Sequence, residues 1–440
     1  MAFWIVTMVF IAAYVLIATE KIHKTVVALC AAALLLALKT ISQREAFHLE
    51  EFGIDWNVIF LLISMMVIIN IMRPTGIFEF IAIKCVKIAK GEPVRILVLF
   101  VVITAVLSAL LDNVTTVLFI VPITIYITSM LEVDASVFLI CEALASNIGG
   151  TATLIGDPPN IMIASRAKLG FIDFIYNLSP IVIILMLVFI VIIRLFFAKR
   201  LKTTDECREK VLSMRENEAI KDAAELKKSL TVLMFVIIGF TFHGLLHLEP
   251  ATIALLGASV LLVLTREKDV HKIFAEVEWS TIFFFIGIFI LVGATVKAGL
   301  VRMMSEKMLS ITDGHFFFIS MLMLWFSAVV SAIVDNIPYI ATMNPLVIDM
   351  AERLWPNLSG TALLHAKDLL PIWWSLALGA CLGGNATPIG ASANVIVIGL
   401  GERAGIKISF LKFTAFGLPL TFLTILISSL YVWIRYYLLN

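Results

Sequence analysis

Two acidic pairs, Asp112-Asn113 and Asp335-Asn336, stand inside otherwise apolar sequence. The first lies between the runs 96–111 and 114–130, the second between 316–334 and 337–350. An ionised Asp at hydrocarbon depth costs about 2.5 to 3.5 kcal/mol, so each carboxylate has to be paired, protonated or bathed in a water-filled cavity. For either pair alone a bland reading is available, since Asp and Asn are good helix caps. Two pairs in equivalent surroundings favour proton or cation coupling through Asp112 and Asp335. Asn113, Asn336, Thr115 and Thr116 are then candidate substrate-binding groups at the same tips.

The segments GGTATLIGDPPN (149–160) and GGNATPIGASAN (383–394) carry a second kind of chemistry. Gly149, Gly150, Gly156, Pro158 and Pro159 interrupt a helix, and Gly383, Gly384, Pro388 and Gly390 do the same. Unwound backbone at membrane depth survives only where it lines a cavity or is buried in protein. Its freed amides and carbonyls, with Thr151, Thr153, Asn160, Asn385, Thr387, Ser392 and Asn394, suit a ligand read by neutral hydrogen bonds. Asp157 has no counterpart, since Ala391 stands in its place, and reads either as a third coupling carboxylate or as a surface-facing cap. Glu142 precedes the first break and reads equally as buried and protonated or as interfacial. Cys141 and Cys381 lie near the two breaks, although small buried cysteines are common in helix packing.

The elements that must position these groups follow from an internal repeat. Trp56, Ile59, Phe60, Gly76, Asp112, Asn113 and Pro122 recur as Trp279, Ile282, Phe283, Gly299, Asp335, Asn336 and Pro345, all displaced by 223 residues. The two Gly-rich segments are displaced by 234 and agree at seven of twelve positions, which requires an insertion of 11 residues between them and the acidic pairs. Each acidic pair, flanked by two apolar runs, reads as the tip of a re-entrant helical hairpin. Each Gly-rich segment reads as the middle of a broken helix.

Composition sets the solvent. With 61% hydrophobic and 15% charged residues and a mean hydropathy of +1.04, the chain calls for a lipid bilayer as its surroundings. Apolar runs near spanning length recur at 4–19, 58–72, 181–197, 229–246 and 416–431. The first has no basic region ahead of it and is followed directly by Glu20-Lys21, so it reads as a retained helix and not a signal peptide. Placing the N-terminus outside puts the basic stretch 73–95, with Lys84, Lys87 and Lys90 on an interfacial helix, in the cytoplasm. The polar linker 199–228 and the loops 266–279 and 402–412 fall on the same side. The first repeat then enters the membrane from outside and the second from inside. The expected fold is an all-α polytopic membrane protein made of two inverted repeats. Its divisions are N-terminal helices (1–55), a first repeat (56–198), the linker (199–228), two further helices (229–278) and a second repeat (279–440).

Several function classes are excluded or disfavoured. Five scattered cysteines without a C-x-x-C pair argue against a disulfide framework or a zinc site, and no metal or cofactor is expected. The G-x-x-x-x-G-K-[ST] motif is absent, which argues against direct ATP drive and leaves only a separate ATPase subunit as a route to it. An intramembrane aspartyl protease would need a G-x-G-D context, and Ile155-Gly156-Asp157 does not complete one, so the chain is not read as an enzyme. The net charge of +1 gives no reason to expect a nucleic-acid partner. A passive channel would differ from a carrier in flux rate and in lacking proton coupling.

DNVTTVLFIVPI (112–123), GGTATLIGDPPN, DNIPYIATMNPL (335–346) and GGNATPIGASAN together resemble the ion transporter superfamily. The similarity is greatest to the ArsB-like arsenical-pump and sodium/proton antiporter branch that includes the melanosomal P protein. The resemblance implies about ten spanning helices plus two hairpins and two broken helices, with a transport part moving as an elevator against a scaffold. It also implies, often, a homodimer; the inner membrane of a prokaryotic cell is the location expected from the helical spans and compact length. The dicarboxylate branch has Ser-Asn-Thr at its hairpin tips, where this chain has Asp-Asn-Val and Asp-Asn-Ile, a change that would repel a carboxylate substrate. The resulting expectation is efflux of arsenite or antimonite, as uncharged trihydroxides, in exchange for protons. Sodium/proton antiport on the same site is the alternative.

Overall fold

The computed structural model describes residues 2–19, 21–49, 52–198, 200–265 and 270–439. Of the segments used above, Glu20, Lys199 at the start of the linker and 266–269 at the start of the loop 266–279 lie outside them. The described residues are almost entirely helical. Helices α1 (Ala2–Thr19), α2 (Lys24–Ala37), α3 (Gln43–His48), α4 (Trp56–Met72) and α5 (Ile77–Ile88) lead to the first acidic pair. This pair separates α6 (Pro93–Leu110) from α7 (Asn113–Met130), and the first Gly-rich segment separates α8 (Ala135–Gly150) from α9 (Pro158–Ala167). The long α10 (Phe171–Phe197) closes the first half.

The linker forms α11 (Asp205–Leu212) and α12 (Glu216–Ala219), and α13 (Ala223–Leu246), α14 (Pro250–Thr265) and α15 (Val270–Ala275) follow. The second half repeats the pattern with α16 (Trp279–Ala298), α17 (Leu300–Thr312), α18 (Phe316–Ser331), α19 (Asn336–Leu354), the short α20 (Gly360–Leu364), α21 (Leu370–Gly383), α22 (Ser392–Arg403) and α23 (Phe410–Val432). Among the described residues, eight helices are long and apolar enough to cross a membrane: α1, α4, α6, α7, α10, α13, α16 and α23. The shorter apolar helices α2, α8, α14 and α21 accompany them.

Both hairpins turn back as their polar tips require. The α6–α7 pair begins and ends beside the linker, because Arg208 Nε donates to Lys90 O (2.6 Å) and Thr203 Oγ1 donates to Leu131 O (2.7 Å). Lys87 of α5 pairs with Glu216 of α12 on the same side. In the second half, Phe316 at the start of α18 stacks on Trp355 just past α19, with ring centroids 5.1 Å apart. Helices α17 and α18 meet at a 120° bend, so α17 lies across the base of this hairpin and does not extend its first arm. The 11 inserted residues fall between α19 and α21, where 355–369 replaces the short 131–134 of the first half. His365 in this longer loop sits 3.1 Å from the carbonyls of Ala167 and Lys168 at the end of α9.

Packing sorts the helices into two groups. Helix α4 lies against α14, α13 against α14, and α2 against both α16 and α1. The other group joins α6 to α8, α18 to α21, α7 to α8 and α22, and α9 to α21. Within it, small residues let backbones touch. A Cβ on Gly149 would lie 2.2 Å from the Ala105 carbonyl oxygen, and one on Gly383 would lie 2.6 Å from the Ala328 Cα. Each broken helix is thereby seated directly on the first arm of its hairpin.

Candidate functional site

At the first tip Asp112 is the N-cap of α7, its Oδ1 accepting the Thr115 amide at 2.7 Å. Asn113 donates to Asn147 Oδ1 (3.1 Å), and Ser146 Oγ donates to Asn113 O (2.9 Å), so α8 holds the tip in place. Asp335 caps α19 in the same way through the Ile337 amide at 3.0 Å. Its second oxygen is also occupied. Lys24 Nζ lies 2.6 Å from Asp335 Oδ2, and Ser392 Oγ donates to that oxygen at 2.8 Å. The capping reading therefore holds for one oxygen of each carboxylate, while the second oxygen of Asp335 is held by Lys24 and Ser392.

The broken helices are held open by their own asparagines. Asn160 Nδ2 donates to the carbonyls of Thr153 (2.8 Å), Thr151 (3.2 Å) and Gly150 (3.3 Å). Asn394 Nδ2 makes the matching bonds to Gly384 O (2.8 Å) and Thr387 O (3.0 Å). Thr153 and Thr387 donate to Ala109 O (2.5 Å) and Ala332 O (2.6 Å), tying each unwound segment to its hairpin. Thr151 Oγ1 returns to Asn147 O at 2.8 Å. Buried backbone groups need partners, and these side chains supply them where the helical ladder is lost.

The halves meet through two residues that the sequence reading passed over or underrated. Asn147 donates to Asn385 Oδ1 (2.8 Å) and Asn394 Oδ1 (3.0 Å), and Asn385 donates to Leu144 O (3.2 Å). At the position equivalent to Asn147, Cys381 donates to Asn160 Oδ1 at 3.6 Å. Asn147 stands two residues before the first Gly-Gly pair, but its counterpart is a Cys, so the repeat gave no signal for it.

Asp157 is fully buried and makes no capping hydrogen bond, which removes the surface-facing alternative. Asn336 Nδ2 approaches both of its carboxylate oxygens at 3.5 Å, which sets Asp157 beside the second tip. The first tip is linked to the same region through Asn113, Asn147 and Asn394. Glu142 is also fully buried and not interfacial. Thr124 Oγ1 donates to its Oε1 at 2.6 Å, and Oε2 has no partner. Asn113 Oδ1 and the Thr116 hydroxyl are likewise buried without partners. Beside the second tip a cavity of about 430 Å³ is lined by Lys24, Glu278, Ser280, Asp335, Ser392 and Val395 among others.

Residues 14–379 match the CitMHS family, described as citrate transporters. The chain belongs to the citrate transporter family. An uncharacterized transporter of Mycobacterium tuberculosis (strain H37Rv) is 44% identical over 98% of both chains, and a 46 kDa membrane protein of Mycobacterium leprae is 44% identical over 97% of both. The P protein of Mus musculus is 31% identical over 96% of this chain and 59% of its own length. Among solved structures, the YdaH transporter of Alcanivorax borkumensis superposes with a TM-score of 0.54 at 14% identity, covering 87% of this chain and 85% of its own. Neisseria gonorrhoeae MtrF, from a class of antimetabolite efflux pumps, gives 0.56 at 11% identity, covering 93% and 85%. These two show the fold alone. With them, the P protein match agrees with the resemblance to the ion transporter superfamily. This citrate-transporter family member is a multi-pass membrane transporter, and its bacterial relatives place it in the plasma membrane.

Proposed function

We propose that this protein is a secondary transporter that exchanges a small cation, sodium being the first to test, for protons across the plasma membrane. The observation that carries the reading is the charge of the site. Asp157 lies beside Asp335 through Asn336, and Asp112 is linked to them through Asn113, Asn147 and Asn394; among the described residues the ammonium paired with them is Lys24. Carboxylates at such depth need protons or cations to neutralise them. The neutral donors point the same way, because Asn160, Asn394, Thr153 and Thr387 are spent on the protein's own carbonyls. They hold the site's shape and leave the carboxylates to meet the solute.

Arsenite or antimonite efflux is the second reading. An uncharged trihydroxide needs free neutral partners, and the unpartnered Asn113 Oδ1 and Thr116 hydroxyl provide two. A citrate anion, the solute in the family's name, would enter an acidic site only with cations to offset its charge. Alternating access in this reading is an elevator motion of the hairpins and broken helices against α1, α2, α4, α13, α14 and α16, with the two halves inverted in the membrane.

Everted vesicles carrying the protein and a pH-sensitive dye separate these solutes. Proton release on adding sodium supports cation exchange. Gradient-driven accumulation of labelled arsenite with no response to sodium would replace it with the second reading.

A further inference from the structure

The Lys24–Asp335 pair crosses the boundary between the two packing groups. Lys24 opens α2, which lies against α1 and α16, whereas Asp335 caps the second arm of a hairpin and Ser392 opens the distal half of a broken helix. The three side chains close a triangle. Lys24 Nζ is 2.6 Å from Asp335 Oδ2 and 2.6 Å from Ser392 Oγ, and Ser392 Oγ is 2.8 Å from the same carboxylate oxygen. The Lys24 side chain remains 28% exposed and borders the cavity beside the tip, with its ammonium 5.0 Å from the centre of the Phe284 ring on α16. Two other titratable groups line this cavity: His23 preceding α2 and Glu278 preceding α16. Among the described residues Asp112 makes no ion pair, so the pairing is peculiar to the second tip.

We propose that Lys24 is a built-in competitor for the cation site, occupying Asp335 whenever neither a proton nor a transported cation does. The proposal rests on the cation-exchange reading of the site. One carboxylate oxygen cannot be neutralised by an ammonium and by a second cation at once. Separating the ammonium from a dehydrated carboxylate with nothing to replace it leaves an uncompensated charge. The unloaded site is therefore tied to α2, and a bound cation releases it by taking the place of Lys24. The tie blocks movement of the vacant, ionised site and so prevents uncoupled leak.

The test reads conformation and not flux. Val395 lines the cavity and is 40% exposed. A Val395→Cys variant, in a Cys30→Ser background because Cys30 is exposed, reports cavity opening by its labelling rate with a membrane-impermeant maleimide in vesicles. We expect sodium or acidification to change that rate at least threefold in the Lys24 protein. Lys24→Gln should move it the same way without either cation, and Lys24→Arg should stay near the parent. Pairing Lys24→Asp with Asp335→Lys should restore the parent rate, which guards against a folding defect. Equal labelling in Lys24→Gln and the parent overturns the proposal. Labelling that responds to Lys24 but not to protons or sodium reduces the pair to a structural strut and also overturns it. Labelling that responds to Lys24 and to protons, with no proton release on adding sodium, supports the competitor and removes sodium exchange alone.

Discussion

The two halves of this transporter agree in the bonds that hold backbone and differ in the groups that handle charge. Asn160 and Asn394 bind unwound carbonyls in the same way, Thr153 and Thr387 reach back to the hairpins in the same way, and Gly149 and Gly383 seat the same helices. Asp157, however, faces Ala391 in the repeat, Asn147 faces Cys381, and only Asp335 of the two tip carboxylates has a lysine. Duplication supplies a symmetric frame that includes the two tip carboxylates, and the departures from symmetry are a third carboxylate and a lysine beside one tip.

The sharpest way to break this comparison is at the tips. Asp112→Asn and Asp335→Asn should each lower pH-dependent transport in vesicles by about 100-fold or more, since removing a positioned charge-handling group costs several kcal/mol, while the proteins still insert. Unchanged transport in both would sink the coupling role. Next come the shared backbone bonds: Asn160→Ala and Asn394→Ala should each destabilise the detergent-purified protein by about 2 to 4 kcal/mol, because each leaves two or three buried carbonyls unpaired. The two losses, read from thermal unfolding, should be similar, and a large inequality would show that the frame is not symmetric.

Asn147→Cys makes the first half copy the second and removes two carboxamide bonds across the halves, at a cost of about 1 to 3 kcal/mol. At the equivalent position, Cys381→Ser keeps a donor toward Asn160 and should change stability by less than about 1 kcal/mol. A larger loss there would mean that Cys381 carries more than a weak hydrogen bond. The smallest effect belongs to the periphery, at Glu45. The Lys297 ammonium and the Ser42 cap hold its carboxyl down to about 2 from an ordinary 4.5. The group is depressed in the folded protein, so whatever the pair contributes is present above pH 4.5 and disappears as pH falls toward 2. Lys297→Ala should therefore differ slightly from the parent in thermal unfolding at pH 7 and converge with it in strong acid.

Much of this arrangement was legible in the chain. Apolar runs gave the helices, a polar tip between two runs gave each hairpin, and Gly and Pro gave each break, because all three are local properties of sequence. The role of the asparagines was not legible. Residue types that suit a ligand also suit an unwound carbonyl, and only geometry shows that Asn160 and Asn394 serve the carbonyls. Lys24 was hidden for a different reason: a lysine opening an apolar helix reads as an end group reaching for the interface. Its partner stands 311 residues away.

The backbone contact of Gly149 with Ala105 and of Gly383 with Ala328 leaves no clearance between a hairpin and its broken helix. A part without clearance has no internal joint. Under the proposed elevator motion, the carboxylates, asparagines and unwound carbonyls would keep their mutual distances, as cargo on a rigid pallet, and what alternates would be the water that reaches them. Substitutions meant to retune affinity on one face of the membrane would then belong on the seam along α2.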